Sequence, residues 1–156
     1  MRRCGQVSEH PVVVVAGSAT GEVLCLDEPL SFWGGVDPRT GEIVDRHHPQ
    51  RGCTVAGRVL VMPSGRGSSS SSSLLLEAIR NGSAPVALLV RRADEILSLG
   101  AIVADELYGR SLPVVVLDSA TYSSLMTGET VAVGEDGSLN RQSDSVDDGP
   151  DNTTGG

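Results

Sequence analysis

The sequence predicts a layered α/β domain, and three observations carry that expectation. Six short segments, 12–16, 22–26, 58–62, 86–90, 114–117 and 130–133, are apolar and rich in β-branched residues. Most are continuous runs rather than strict alternations, the pattern of strands buried on both faces. Helix-like segments at roughly 72–81 and 93–99, and a short one near 119–125, fall between them. Apolar residues make up 39% of the 156-residue chain but aromatics only 3%, so the core must be aliphatic.

The elements follow in chain order. "PVVVVA" (11–16) is too short for the apolar part of a signal peptide and much too short to span a bilayer. It reads as a buried strand and points to a cytoplasmic protein with no membrane partner. After the second strand, "SFWGGVDPRTGEIVDRHHPQRG" (31–52) carries turn chemistry at Gly34-Gly35, Asp37-Pro38, Thr40-Gly41 and Pro49. It also holds Phe32, Trp33 and two of the three histidines. A loop of this length in a small domain suggests function.

"GRVLVM" (57–62) is the next strand and runs into "PSGRGSSSSSS" (63–73). "LLLEAIRNG" (74–82) is a helix with Gly82 in the C′ position. Pro85 and Pro113 each precede a strand, where a missing N–H does least harm. "RRADEILSLGAIVADELYG" (91–109) mixes charge with an apolar stripe and reads as a solvated helix followed by a turn. From 136 the chain is polar, acidic and rich in Gly, Ser and Asp. The expected organisation is one domain over 1–135 and a disordered tail over 136–156.

Net charge is −8, and all twelve basic residues are arginine. That balance argues against a nucleic-acid backbone as partner. Cys4, Cys25 and Cys53 are widely spaced and form no CxxC or Cys/His cluster, so neither a zinc site nor a disulfide framework is indicated. Cys53 by itself cannot hold a metal cluster.

The serine run sits on the hinge between a strand and a helix. The first amides of a helix lack internal acceptors and carry the positive end of the macrodipole. Gly65 and Gly67 allow close approach of a ligand to the backbone, which suits a phosphate or a carboxylate. No Lys follows as in a Walker loop, and the GxSxG of a nucleophile elbow is absent. Two readings of Ser68 to Ser73 stand side by side. They cap the helix, or one of them, Ser68 being best placed, is a base whose alkoxide the helix-start amides stabilise.

"GRGSS" (65–69) resembles the glycine-serine loop in the swivelling domain of aconitases, where the serine after the glycine is the base. Three stretches together resemble the small-subunit family of aconitase X. They are "LSFWGGVDPRTGEIVDRHHP" (30–49), "GRVLVMPSGRGSSSSS" (57–72) and "APVALLVRRADEILSLGAIVADELYGRSLPVVV" (84–116). The likeness runs in order from about residue 17 to 134.

The resemblance implies a swivelling β/β/α domain that pairs with a large aconitase X subunit. It implies a hydro-lyase, active only with that partner, acting on a small carboxylate substrate. One branch of the family dehydrates cis-3-hydroxy-L-proline and another, archaeal, dehydrates mevalonate 5-phosphate. An iron or iron–sulfur cluster is implied for the large subunit, with no cofactor bound by this chain alone. Ser68 is implied as the base that removes the proton α to the carboxylate. Gly65, Arg66, Gly67 and Ser69 surround it, and Asp37, Thr40 and His48, with Asp45, are implied to line the cleft. Phe32 and Trp33 read as a packing anchor or a partner contact.

Classical aconitases follow the two serines with an arginine and an acidic residue, where this chain has Ser70 and Ser71. The archaeal branch has a Thr, an aliphatic residue and a glycine after the first serine, so the all-serine run looks more like the hydroxyproline type. The alternative to a catalytic subunit is a non-catalytic module that keeps the fold and binds a ligand or partner.

Overall fold

A computed structural model describes residues 11–66 and 70–142. Its centre is a seven-stranded sheet built from β1 (Val12–Val15), β2 (Ala19–Cys25), β3 (Arg58–Met62), β4 (Ala87–Val90), β5 (Val114–Val116), β6 (Thr130–Val133) and β7 (Leu139–Gln142). The strand order is β1-β5-β4-β3-β2-β6-β7. β5, β4, β3 and β2 run parallel, while β1, β6 and β7 add antiparallel strands at the two sides.

The unbroken apolar runs have a simple cause. Side chains alternate between the two faces of a strand, and here both faces are covered. On one face Leu24, Leu60, Met62, Leu88 and Val90 pack against Leu75 and Ile79 of α2 (Ser70–Asn81) and Leu97, Ala101 and Ala104 of α3 (Glu95–Tyr108). On the other face Val23, Val59, Val61, Leu89 and Val115 pack with Leu125, Val131 and Val133, beside the short α4 (Ser119–Ser124).

Local signals place the helix ends. Asp94 caps α3 by accepting the Ile96 and Leu97 amides, and Gly109 closes it in the left-handed region. Gly82 follows α2 at φ +76°, as its C′ position predicts. Asp118 caps α4 through the Thr121 amide.

Two expectations need correction. The helix predicted over 93–99 continues to Tyr108, and it is not simply solvated, because Leu97, Ser98, Gly100, Ala101 and Ala104 are buried. The expected boundary at 135 cuts into ordered structure. Residues 139–142 form β7, which pairs with β6, and Arg141 bridges Glu129 at 3.0 Å. A four-residue polar strand carries too little apolar signal to be seen in the sequence. The remainder of the expected tail lies outside the described residues. Among the described residues, no helix is long and apolar enough to cross a membrane.

Candidate active site at the ends of the parallel strands

In an open parallel sheet, ligands bind beyond the carboxyl ends of the strands. Here the loops after β2, β3 and β4 are tied together at that end. Leu30 and Gly65 form a parallel bridge, and the Arg66 amide donates to the Leu30 carbonyl at 3.2 Å. The Arg91 and Arg92 amides both donate to the Pro63 carbonyl, at 3.1 and 3.2 Å. The Arg91 guanidinium donates to the Leu117 carbonyl, which brings in the loop after β5.

Gly65 is required at its position. A β-carbon there would collide with the Asp94 carboxylate and come within 2.7 Å of Leu97 Cδ1. The approach to the serine run, at Gly65, is thus seated against the start of α3. Gly67, Ser68 and Ser69 lie outside the described residues. The helix they lead into begins at Ser70, with Ser70 and Ser73 exposed and Ser71 buried.

Arg66 and Arg92 are both exposed at this end, and neither side chain makes an ion pair or hydrogen bond among the described residues. They place positive charge at this end of a chain that is acidic overall. Arg66 stands inside the "GRGSS" motif (65–69), whereas Arg92 lies outside it. The signal was present: two arginines directly follow the fully buried strand "ALLV" and so stand at its carboxyl end.

The long loop divides between the two ends of the domain. Phe32, in the kinked turn α1 (Phe32–Gly35), is buried in the core, whereas Trp33 is 59% exposed. The two aromatics therefore split the roles expected of them, Phe32 as packing anchor and Trp33 as a surface group. His48 belongs to the same end as the serine turn but is only 5% exposed. Its Nδ1 accepts the Gln50 amide at 3.1 Å, which leaves Nε2–H to donate to the Glu28 carbonyl at 3.2 Å. Both ring nitrogens are thus engaged by backbone groups. Asp45 accepts the His47 amide at 2.9 Å and shapes the same turn.

Asp37 and Thr40 do not line this cleft. Asp37 accepts the Arg39 amide at 2.9 Å, and Thr40 Oγ1 accepts the Glu42 amide at 3.2 Å. The turn they cap is held at the far end of α2, where Asn81 and Ser83 donate to the Pro38 carbonyl at 3.0 and 2.6 Å. A helix of this length spans roughly 18 Å, so these residues stand well away from the serine turn. The resemblance implies them as cleft groups from their order in the motif, and order along a loop does not give its path in space.

Among the described residues no three His, Cys, Asp or Glu side chains gather as a metal site. Cys25 is half-buried with its thiol directed at the Leu125 carbonyl, and Cys53 is exposed on the long loop. The described residues do not fit an iron or iron–sulfur centre, and no chemistry on them is routed through one. A cavity of about 420 Å³ lies at the opposite end of the sheet, lined by Thr20, Gly57, Ile79, Pro85 and Arg110. Arg110 is occupied there by the Ile79 carbonyl at 2.7 Å.

Residues 9–140 match the family model of the aconitase X swivel domain. The chain belongs to the aconitase X swivel-domain family. It is 60% identical over 107 residues to cis-3-hydroxy-L-proline dehydratase of Pseudomonas aeruginosa, a match covering 69% of this chain and 18% of that protein. It is 41% identical over 123 residues to the phosphomevalonate dehydratase small subunit of Thermococcus kodakarensis, covering 79% of this chain and 86% of that one. The swivel domain thus spans about a fifth of the hydroxyproline dehydratases it matches and most of the small subunits. The crystal structure of Thermococcus kodakaraensis aconitase X in its holo-form superimposes with a TM-score of 0.76 at 37% identity, covering 86% of this chain and 98% of that chain. The swivel-type α/β fold expected from the sequence is therefore the fold observed.

Proposed function

We propose that this swivel domain is the small subunit, or the small-subunit portion, of an aconitase X dehydratase acting on cis-3-hydroxy-L-proline. The 60% identity to the Pseudomonas aeruginosa enzyme carries the choice of substrate, since the phosphomevalonate small subunits compared are 38–47% identical. The geometry supports the rest of the reading. Ser68 lies in the sequence between β3 and α2, and Arg66 and Arg92 are exposed at the carboxyl end of the sheet.

Ser68 acts as the base that takes the proton α to the substrate carboxylate. The opening amides of α2 stabilise the alkoxide, and the exposed arginines attract the substrate's carboxylate. A large, cytoplasmic aconitase X subunit completes the site, and any iron or iron–sulfur centre belongs to it. The swivel domain without that partner has no dehydratase activity.

The test is Ser68→Ala in the assembled enzyme, with Ser73→Ala as an exposed control on the same serine run. Loss of a positioned base lowers the rate by about 10²–10⁴-fold, at an unchanged melting midpoint. Near-full activity of Ser68→Ala, or an equal loss in both variants, would overturn the reading. Turnover of mevalonate 5-phosphate in place of hydroxyproline would reassign the substrate and leave the serine's role to be measured there.

A further inference from the structure

We propose that Ser71 is a substrate-binding residue, its buried hydroxyl and the opening amides of α2 together holding one oxygen of a small organic carboxylate. This rests on the function proposed above and assigns the group that receives the substrate's charge. Ser71 is 3% exposed, and its Oγ has no hydrogen-bond partner in the described structure. Buried polar groups are almost always paired. An unpaired hydroxyl is worse for the fold than the methyl of an alanine, which would fill the same position at no such cost.

Arg58 Nε and Glu129 Oε1 are also buried without a hydrogen-bond partner, but both belong to side chains held in ion pairs, Arg58 with Glu22 and Glu129 with Arg141. The other wholly buried polar residues among those described are satisfied. Ser83 donates to Pro38 O at 2.6 Å, Ser98 donates to Asp94 O at 2.6 Å, and both nitrogens of His48 are engaged. Ser71 stands apart from them, and its place in the fold accounts for the difference. It is the second residue of α2, on the same inward face as Leu75 and Ala78. Cα–Cβ bonds in a helix tilt toward its N-terminus, so Ser71 leans toward the end where the helix's opening amides point. Those amides and the macrodipole select an anion. Arg66 and Arg92 are exposed at the same end and add the charge for it. A single enclosed hydroxyl presents one donor to one oxygen, which suits a carboxylate edge better than a tetrahedral phosphate.

The test uses the full chain labelled with ¹⁵N. The Ser70 and Ser71 amide shifts are followed against L-proline, which carries the carboxylate but no hydroxyl to eliminate, and separately against inorganic phosphate. L-proline should give a saturable shift. Ser71→Ala should weaken that binding at least tenfold with a melting midpoint that is unchanged or raised, and Ser73→Ala should leave binding intact. In the assembled enzyme, Ser71→Ala should raise KM with little change in kcat. If Ser71→Ala melts early, Ser71→Cys keeps the volume, loses most of the donor strength and serves in its place. Absence of a saturable shift in the wild type, equal affinity in the variant, or saturation by phosphate but not by L-proline would overturn the proposal. The titration needs no turnover, so a failed hydroxyproline assay beside intact, Ser71-dependent L-proline binding would sink the substrate assignment alone.

Discussion

Asp94 and Gly65 compete for one space: the Asp94 carboxylate stands where a β-carbon at position 65 would have to go. Through Oδ1 the same side chain accepts the Ile96 and Leu97 amides at 2.9 and 3.0 Å. The start of α3 and the approach to the serine turn are therefore one unit. Gly65→Ala should dislodge either the cap or the turn, lowering stability by about the 0.5–2 kcal/mol of a lost cap and impairing dehydration more strongly. Asp94→Ala removes the cap and opens the space. The double variant should then lose less than the sum of the two singles. Denaturant midpoints of the three proteins check this, and strict additivity would show that the two positions do not interact.

His48 holds the Gln50 amide of the long loop and the Glu28 carbonyl before it, and presents nothing to a ligand. His48→Ala leaves the Gln50 amide and the Glu28 carbonyl without these partners, and an orphaned buried group costs about 1–3 kcal/mol. The variant should melt earlier yet keep kcat/KM when assayed well below its midpoint. A selective loss of kcat/KM at unchanged stability would instead return His48 to the cleft.

The end of the domain can be located by truncation. A chain stopped after Gln142 should keep its stability and its assembly with the large subunit. One stopped after Glu135 loses β7, its pairing with β6 and the Arg141–Glu129 bridge, and uncovers the edge beside Val131 and Val133. Calorimetry should show a lower midpoint for the shorter chain only. Equal midpoints would mean that β7 adds nothing to the fold.

The two described cysteines should differ in reactivity. Burial, the largest influence, pushes the Cys25 thiol above its ordinary value, while the Thr127 hydroxyl opposes it and Glu129 and Asp27 add to the rise. Cys53 is exposed. At mildly alkaline pH, peptide mapping after alkylation should find Cys53 modified well before Cys25. The sign of the pH dependence follows. A raised folded pKa means that the folded state holds its proton more tightly than the unfolded one. This stabilisation is complete below the ordinary thiol pKa of 9.0 and is lost as pH rises through the higher folded value. Cys25→Ser should flatten that alkaline loss; an unchanged slope would rule out the thiol as its source.

The sequence by itself determined the parts of this protein governed by near neighbours along the chain. The apolar runs at 58–62, 86–90 and 114–117 are strands because both faces of the sheet are covered, and that demand is written into every residue of the run. Gly82 marks a helix end and the prolines mark strand entries, through restrictions on a single residue's backbone. The family motif placed Ser68 on the turn between β3 and α2 by order alone. Tertiary structure decided what depends on residues far apart in sequence. The helix expected over 93–99 runs on through Gly100 to Tyr108, and α2 packs so close there that a β-carbon would come within 3.0 and 3.3 Å of the Ser72 backbone. Asp37 and Thr40 sit in the same loop as His48 but at the other end of the domain, since Asn81 and Ser83 hold the Pro38 carbonyl there. Six serines in a row are alike as letters. Only the packing of α2 on the sheet buries Ser71 while leaving Ser70 and Ser73 in solvent, because burial is set by what faces a residue across space.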